Sequence, residues 1–556
     1  MKLGNKQSSV LFYTIWIISL LVQAAFTELL ADEAYYWKYA QQLAWGYFDH
    51  PPMVAIFIKI GYALFQNELG VRLLFVATSA LTIWVWQQII KPKNLVLFYL
   101  LVSSIAILHA VGFIATTDGP FLLFASLFFW IYKQYLQHDS AKNVILLSLT
   151  LACMLLTKYH GVIIIGLVVL SNLNLLKRRT FWLTFLSVCL LLSPHIIWQI
   201  NNGYPSIKYH LFERSQTPYH IGFTLEYISV QLIVLGPLVG LLFFYLFQKH
   251  KANTLFEKTL KWCFWGGYLF FLLMSFKGKT EAYWTLFIVI PALAFTYQYI
   301  EQSTQLTNLV KRQFYWVMAL IIVARIFLIF NFLPFNNFTY NLINKYHYKQ
   351  VKATVIADAS KDLPVAFMNS YQKASLFEFY TGVPSFSLNN IQGRKNQYDL
   401  WQSEEQFRGE EIAVVTNYKV NHFPTIATPI DTLYYTTINN FQNYSSVTVT
   451  SVTPITPAQP NDTLTLQLMV KQPINTTIDF DANPAYPSVL YYQLFKGKTT
   501  VVEKPLLKLE NSMLDNLINV KLAAPNSTGK YNLCFSIKTG WLPHTINSKS
   551  YNLLVE

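Results

Sequence analysis

Near-continuous runs of Leu, Ile, Phe and Val recur along the chain as far as Pro334 and then stop. They predict membrane-crossing helices near residues 10–30, 72–90, 94–112, 119–136, 143–157, 160–176, 181–200, 227–247, 261–276, 283–300 and 314–333. A helix needs about 20 residues to cross a bilayer, so the two pieces flanking Lys158 are short. They fit a tight hairpin or one broken, partly buried segment. The hairpin is preferred because the loop charges then keep one orientation throughout. Residues 1–30 read as a span and not as a cleaved signal, because further spans follow. Beyond Pro334 the pattern changes. Residues 350–440 carry short apolar runs, LPVAFMNS and EEIAVVTNY, with helix-like KASLFEFY between them, and predict a small α/β unit. Residues 445–556 alternate in TLTLQLMVK, SVLYYQLFK and KYNLCFSIKT and predict an antiparallel β-sandwich. The expected domains are therefore 1–335, 336–440 and 441–556.

Composition agrees with a membrane protein. Of 556 residues, 53% are hydrophobic and only 13% are charged, which excludes a disordered chain and a wholly soluble one. A formal net charge of +14 would suggest nucleic acid in a soluble protein. Here the basic residues sit between apolar runs, as orientation signals do, so no nucleic-acid partner is expected. Lys91 and Lys93, Lys142, Lys177 to Arg179, Lys249 to Lys261, and Lys311 with Arg312 all fall on one side if the chain crosses eleven times from a cytoplasmic N-terminus. Everything after Pro334 is then extracytoplasmic. Cys153, Cys189 and Cys263 lie in apolar runs and Cys534 stands alone in the polar part, so no disulfide is expected there.

The unusual residues gather in the outer loops. Residues 31–71 form a loop too long for a connector and too aromatic for solvated coil. Stretches 33–44 and 53–66 predict helices lying in the membrane interface. Asp32, Glu33, Asp49 and His50 flank them. Asp118 follows the third span, His210, Glu213 and Arg214 fall in loop 201–226, and Lys277, Lys279 and Glu281 fall between the ninth and tenth spans. Each has a plain structural reading. Asp118 could open a helix, and Pro51-Pro52 could end one helix and begin another. Clustering of carboxylates in aromatic, apolar surroundings is not explained that way, because unpaired charge is costly there. A transporter would place such groups near the bilayer midplane. Lys158 and Arg325 are the clearest intramembrane charges and keep a transporter or flippase for a lipid-linked glycan as the alternative class.

Ala-Asp-Glu-Ala at 31–34, Tyr-Phe-Asp-His-Pro-Pro at 47–52, Val-Arg-Leu at 71–73, Thr-Thr-Asp-Gly-Pro at 116–120 and Thr-Lys-Tyr at 157–159 resemble the GT-C membrane glycosyltransferases of family 39. KGKTEAYWTLFIVIPAL at 277–293 is similar to a late-loop motif of that group. The resemblance covers about residues 10–335. It implies a polytopic α-helical GT-C fold in a bacterial cytoplasmic membrane. It also implies transfer of a sugar from a polyprenyl-phosphate carrier to an extracytoplasmic acceptor on lipid A, a glycan or a protein, by single displacement with inversion. The resemblance makes Asp32 the general base and Glu33 its support, and it places Asp118 in a second acidic motif. Arg72, Lys158, Lys277 and Lys279 become candidate partners of the lipid phosphate. One departure stands out. Some lipid A-modifying relatives have Glu-Lys before the two prolines, where this chain has Asp49-His50. Asp49, His50 and His210 could instead form an oxygen-and-imidazole set for a divalent ion. In the C-terminal region Tyr491, Tyr492 and Trp541 could stack on sugars, although packing in the cores is the commoner fate of such residues.

The charge pattern makes a direct prediction. Reporter fusions after Arg179 and Lys261 should read cytoplasm, and fusions after Tyr219 and Pro384 should read the outside. A cytoplasmic signal after Pro384 would overturn both the topology and the outer-face site.

Overall fold

The computed structural model describes residues 5–214, 218–236, 240–249, 251–391, 393–473, 477–497 and 499–556. It divides into two compact units, Met1–Lys349 and Gln350–Glu556. The expected run 227–247 and loop 201–226 each include a few residues outside those described.

The first unit is helical. Its first half contains α1 (Asn5–Phe26), α2 (Ala31–Gln41), α3 (Met53–Tyr62), α4 (Glu68–Ile90), α5 (Leu95–Ser103), α6 (Ala106–Val111), α7 (Asp118–Gln137) and α8 (Ala141–Thr157). Then come α9 (Gly161–Ser171), α10 (Arg179–Asn201), α11 (Pro205–Lys208), α12 (Ile221–Val234), α13 (Gly240–Lys249), α14 (Leu255–Ser275), α15 (Val289–Glu301), α16 (Thr304–Ile329) and α17 (Tyr340–Tyr346). Every expected apolar run is helical over most of its length. Among the described residues, five stretches are long and apolar enough to cross a membrane: α1, α4, α10, Ala282–Glu301 and α16. The run expected at 94–112 is broken between Ser103 and Ala106, and the run at 160–176 ends in a 3₁₀ turn, Leu173–Lys177. Around Lys158 the chain turns sharply. Helix α8 packs on α7 and α10, whereas α9 packs on α14.

Local chemistry explains several of these elements. Pro194 lies inside α10 and cannot donate to the carbonyl of Leu190. The Ser193 hydroxyl donates to that carbonyl instead, at 2.7 Å, which matters where no water is at hand. Asn67, Asn94, Ser140 and Ser303 cap α4, α5, α8 and α16 by accepting backbone N–H groups. The core is continuous through these helices and is rich in rings, such as Phe247 stacked on Phe264 at 3.7 Å. Helix α2 packs on α3 and α3 on α4. The α3–α4 turn is tight. A Cβ on Gly70 would lie 1.6 Å from the Phe65 carbonyl oxygen.

The second unit begins with α18 (Lys349–Ser360), whose first residue closes the first unit, and has two parts. A five-stranded sheet has the order β2-β1-β3-β5-β4, built from β1 (Val365–Met368), β2 (Ser385–Leu388), β3 (Ile412–Thr416), β4 (Thr425–Ala427) and β5 (Thr432–Ile438). β1 runs parallel to β2 and β3, and α19 (Tyr371–Thr381) makes the crossover between β1 and β2. The parallel strands are almost fully buried, which is why they read as unbroken apolar runs. Then follow two antiparallel sheets. The first joins β10 (Asn516–Ala523), β7 (Thr463–Lys471) and β6 (Thr448–Ser451). The second joins β12 (Tyr551–Val555), β11 (Gly529–Thr539), β8 (Ser488–Lys496) and β9 (Thr499–Lys508). Alternate residues of both sheets, among them Leu468, Val520, Leu494 and Phe535, share one core.

Gly70→Ala should destabilise the first unit by about 1–3 kcal/mol, because the Cβ meets backbone and not a movable side chain. Thermal unfolding in detergent measures it. An unchanged midpoint would mean the α3–α4 turn is looser than described.

Candidate functional site

Two acidic residues in the first turn favour a helix start, so Asp32 and Glu33 suit the beginning of α2. They face different surroundings. Glu33 is fully buried and Asp32 is exposed. The Glu33 carboxylate accepts from Arg72 Nε at 2.7 Å and from a terminal Arg72 nitrogen at 2.5 Å. It also accepts the backbone N–H groups of Ala115 at 2.7 Å and Leu30 at 2.8 Å. The remaining Arg72 donors reach the carbonyls of Ala24, Thr27 and Glu28. This is a buried ion pair with its lone pairs and protons satisfied, the condition under which such a pair is tolerated. It ties together the end of α1, the start of α2, the flank of α4 and the segment leading to α7.

That segment delivers Asp118, the first residue of α7, which is 6% exposed. Its carboxylate pairs with Lys158 Nζ at 2.5 Å. The same ammonium lies 5.1 Å from the ring centre of Tyr283, in the 3₁₀ turn Ala282–Ile288. Tyr283 is more than a third exposed, and Asp118, Glu281, Arg214 and Asp32 lie within electrostatic reach of its hydroxyl. The Arg214 guanidinium stacks 4.5 Å over the Trp284 ring. His160 packs on Trp284 from another side, at 5.3 Å.

The Pro51-Pro52 motif is held beside this group. Asp49 accepts from the Tyr39 hydroxyl at 2.6 Å, His50 Nε2 bonds the Tyr36 hydroxyl at 2.9 Å, and His210 Nε2 donates to the Asp49 carbonyl at 2.9 Å. Behind them runs a polar chain from α10. Gln199 donates to the Tyr159 hydroxyl, which donates to His195 Nε2, while His195 Nδ1 donates to the Trp45 carbonyl. Next to Trp45, a Cβ on Gly46 would lie 2.4 Å from Trp198, so glycine there permits the close approach. Burial, aided by the charges of His210, Lys158 and Arg214, pushes the His50 imidazole down to about 3 against the pull of Asp49.

The structure corrects part of the expected site. The Arg72 donors, expected to meet the lipid phosphate, are instead taken by Glu33 and three carbonyls in a fully buried setting. Lys158 is not a free cation, because Asp118 neutralises it. Asp49, His50 and His210 are brought together but do not form a divalent-ion site. Asp49 turns its carboxylate to Tyr39, and His50 and His210 turn Nε2 to Tyr36 and to the Asp49 carbonyl. Among the described residues no group of three His, Cys, Asp or Glu could hold a metal. Lys279 pairs with Glu226 at 2.9 Å, both about half exposed, and Lys277 is exposed on the same loop. The sugar-stacking candidates of the second unit are packed instead. Tyr492 lies in the core, Tyr491 meets His544 edge-on and Trp541 meets Phe423. Sequence reasoning assigned no role to Tyr283, Trp284 or His160. The signal for the first two was present in KGKTEAYW.

Comparisons with known proteins point the same way. The family described as Dolichyl-phosphate-mannose-protein mannosyltransferase matches residues 49–198. The chain is 22% identical over 296 residues to the lipid A galacturonosyltransferase RgtD of Rhizobium johnstonii, covering 50% of this chain and 61% of that relative, less than two thirds of its length. The crystal structure of ArnT from Cupriavidus metallidurans in the apo state superposes with a TM-score of 0.56 at 12% identity, over 77% of this chain and 97% of that one. The same protein bound to undecaprenyl phosphate gives 0.55 at 12% identity, over 78% and 98%. The chain has the GT-C fold, and the resemblance to GT-C membrane glycosyltransferases read from its motifs holds.

The geometry sets two expectations. Glu33→Gln and Arg72→Gln should each cost about 3–5 kcal/mol, because each strands a buried charge. The readout is thermal unfolding in detergent. Selective loss of lipid-phosphate binding with unchanged unfolding would return Arg72 to a ligand role. His50 should stay neutral from pH 8 to 5 in histidine-selective NMR. Below its ordinary value of 6.5 the unfolded chain takes up a proton that the folded protein refuses, so His50 makes stability fall as pH falls. A midpoint near 6.5 in the folded protein would contradict its burial.

Proposed function

We propose that this chain transfers a sugar from a polyprenyl-phosphate carrier to a hydroxyl group outside the cytoplasmic membrane. The observation that carries the reading is that the Asp118–Lys158 pair meets the Tyr283 ring and Arg214 the adjoining Trp284 ring, while Asp32 is exposed at the start of α2. The GT-C fold, shared with an ArnT that was solved with undecaprenyl phosphate bound, supports the carrier class. The name of the relative RgtD supports lipid A as one acceptor, beside a glycan or a protein.

In this reading Asp32 accepts the proton of the acceptor hydroxyl as its oxygen attacks the anomeric carbon. The new C1–O bond forms as the bond from C1 to the phosphate oxygen breaks, and the configuration inverts. The departing polyprenyl phosphate carries the electron pair and needs cationic company, not a proton. Arg214 takes the role expected of Arg72. Its charge faces rings and is met by no carboxylate hydrogen bond among the described residues. Lys277 lies exposed on a nearby loop and can add to the field. Glu33 positions Asp32, and Lys158 orients Asp118 beside the acceptor. The positive-inside pattern supports an extracytoplasmic position for this end of the helices and for the second unit.

Asp32→Asn should retain folding and donor binding but lose about 10²–10⁴-fold in transfer rate. Purified protein with a polyprenyl-linked donor is the assay. Near-normal turnover in Asp32→Asn with loss in Asp118→Asn would move the base to Asp118. Arg214→Gln should weaken donor binding, and Arg214→Lys should recover part of it. Unchanged donor affinity in Arg214→Gln would remove it from the phosphate site.

A further inference from the structure

The second unit carries chemistry that the proposed transfer does not use. Strand β1 leaves through α19 to β2, and the chain then returns past β1, by way of α20 (Gln397–Trp401), to β3. Right-handed crossovers that run in opposite directions along a sheet lie on its opposite faces. Here they part between β1 and β3, so a crevice opens outside the carboxyl ends of those two strands. Open α/β sheets bind ligands at such a point.

The side chains at that edge are donors. Asn369 and Asn417 each stand two positions beyond a paired residue at the end of β1 and β3, Phe367 and Val415. The Asn369 Oδ1 accepts the backbone N–H of Asn390 at 2.9 Å, and the Asn417 Oδ1 accepts from Lys373 Nζ. With both oxygens engaged by donors, each amide keeps its NH₂ group, which meets no protein acceptor among the described residues. Lys373 lies in the first turn of α19 and so reaches from the exit of β1 to the end of β3. Its hydrogen-bond partner is a neutral amide, and among the described residues no carboxylate pairs with it. The Asp431 carboxylate is taken by Lys352 and Thr428. Burial, with the charge of Lys352, pushes the Lys373 ammonium down to about 8, so an arriving anion would stabilise its charged form. Tyr418, the residue after Asn417, is 69% exposed.

We infer that the carboxyl edge of β1 and β3 binds an acidic saccharide. The anionic group meets Lys373, the amides of Asn369 and Asn417 donate to sugar oxygens, and the Tyr418 ring offers an apolar face to the sugar. A neutral sugar would leave Lys373 with its neutral partner, and a compact inorganic anion would make no use of an exposed ring. The shared chemistry is a sugar ring bearing either a carboxylate or a phosphate ester. The site goes beyond the proposed transfer and stands apart from it, because none of these residues belongs to the first unit.

The test uses the full chain in detergent and saturation-transfer NMR, with glucuronate, glucose 6-phosphate, glucose and inorganic phosphate as probes. One of the two acidic sugars should bind roughly tenfold better than glucose and than inorganic phosphate. Which of the two does so shows whether the anion is a carboxylate or a phosphate ester. Asn417→Asp should remove that preference, because it gives Lys373 a carboxylate of its own, and should leave thermal unfolding unchanged. Lys373→Gln should remove it as well, and Lys373→Arg should keep part of it. Tyr418→Ala should weaken the acidic sugar about threefold and leave inorganic phosphate unaffected. Equal binding of glucose, or equal binding of inorganic phosphate, would overturn the proposal. So would a preference undiminished in Asn417→Asp and Lys373→Gln. If Arg214→Gln removed that undiminished preference, the acidic sugar would belong to the first unit, and the proposed glycosyl transfer would stand without this second site.

Discussion

The Glu33–Arg72 ion pair is the constraint on which the site depends. Both side chains are fully buried, and separating either from its partner leaves a charge in a medium that cannot solvate it. Because Glu33 also takes the N–H groups of Leu30 and Ala115, one carboxylate sets the start of α2 and the approach to α7. The two candidate catalytic carboxylates are carried by those same segments. Asp32 stands next to Glu33 in the chain, and Asp118 follows shortly after Ala115. Their relative placement is inherited from a salt bridge that touches neither.

Around that frame the protein handles charge by two different means. Asp118 and Lys158 are buried together, so their mutual attraction offsets the loss of water. His50 is half-buried with no salt bridge among the described residues, and its surroundings favour the neutral imidazole. Arg214 and Arg325 can do neither, because a guanidinium does not lose its proton in a protein. One faces aromatic rings at the candidate site and the other a backbone carbonyl in the helices. A cation left in this position is a natural place for an anion to arrive, and this logic underlies the donor reading at Arg214.

Much of the architecture was legible along the chain. Apolar runs marked the helices, because in lipid every backbone group must be satisfied within its own segment. Period-two alternation marked β7, β8 and β11, because each has one face in a core. The motifs at 31–34, 47–52, 116–120 and 157–159 named residues that the fold does bring together. Less legible were the breaks. The interruption near Ser104 and the turn at Lys158 carry no proline, and helix lengths there answer to packing.

What the sequence alone determined is therefore the material of each region and the identity of its chemically unusual residues. What only the tertiary structure decided is their pairing. Arg72, Lys158, Arg214 and Arg325 are all basic side chains within or beside the apolar helices. In the fold the first is consumed by Glu33, the second by Asp118, and the last two remain without a carboxylate among the described residues. The same holds for Asp49, His50 and His210, which suggest a metal site by type and are turned by hydrogen bonds toward tyrosines and a carbonyl. Charge interactions fall off with distance and strengthen as water leaves, so a shift of a few ångströms decides whether a group is a ligand or a strut. Distances of that kind are set by packing between segments remote in the chain, and composition and spacing do not encode them.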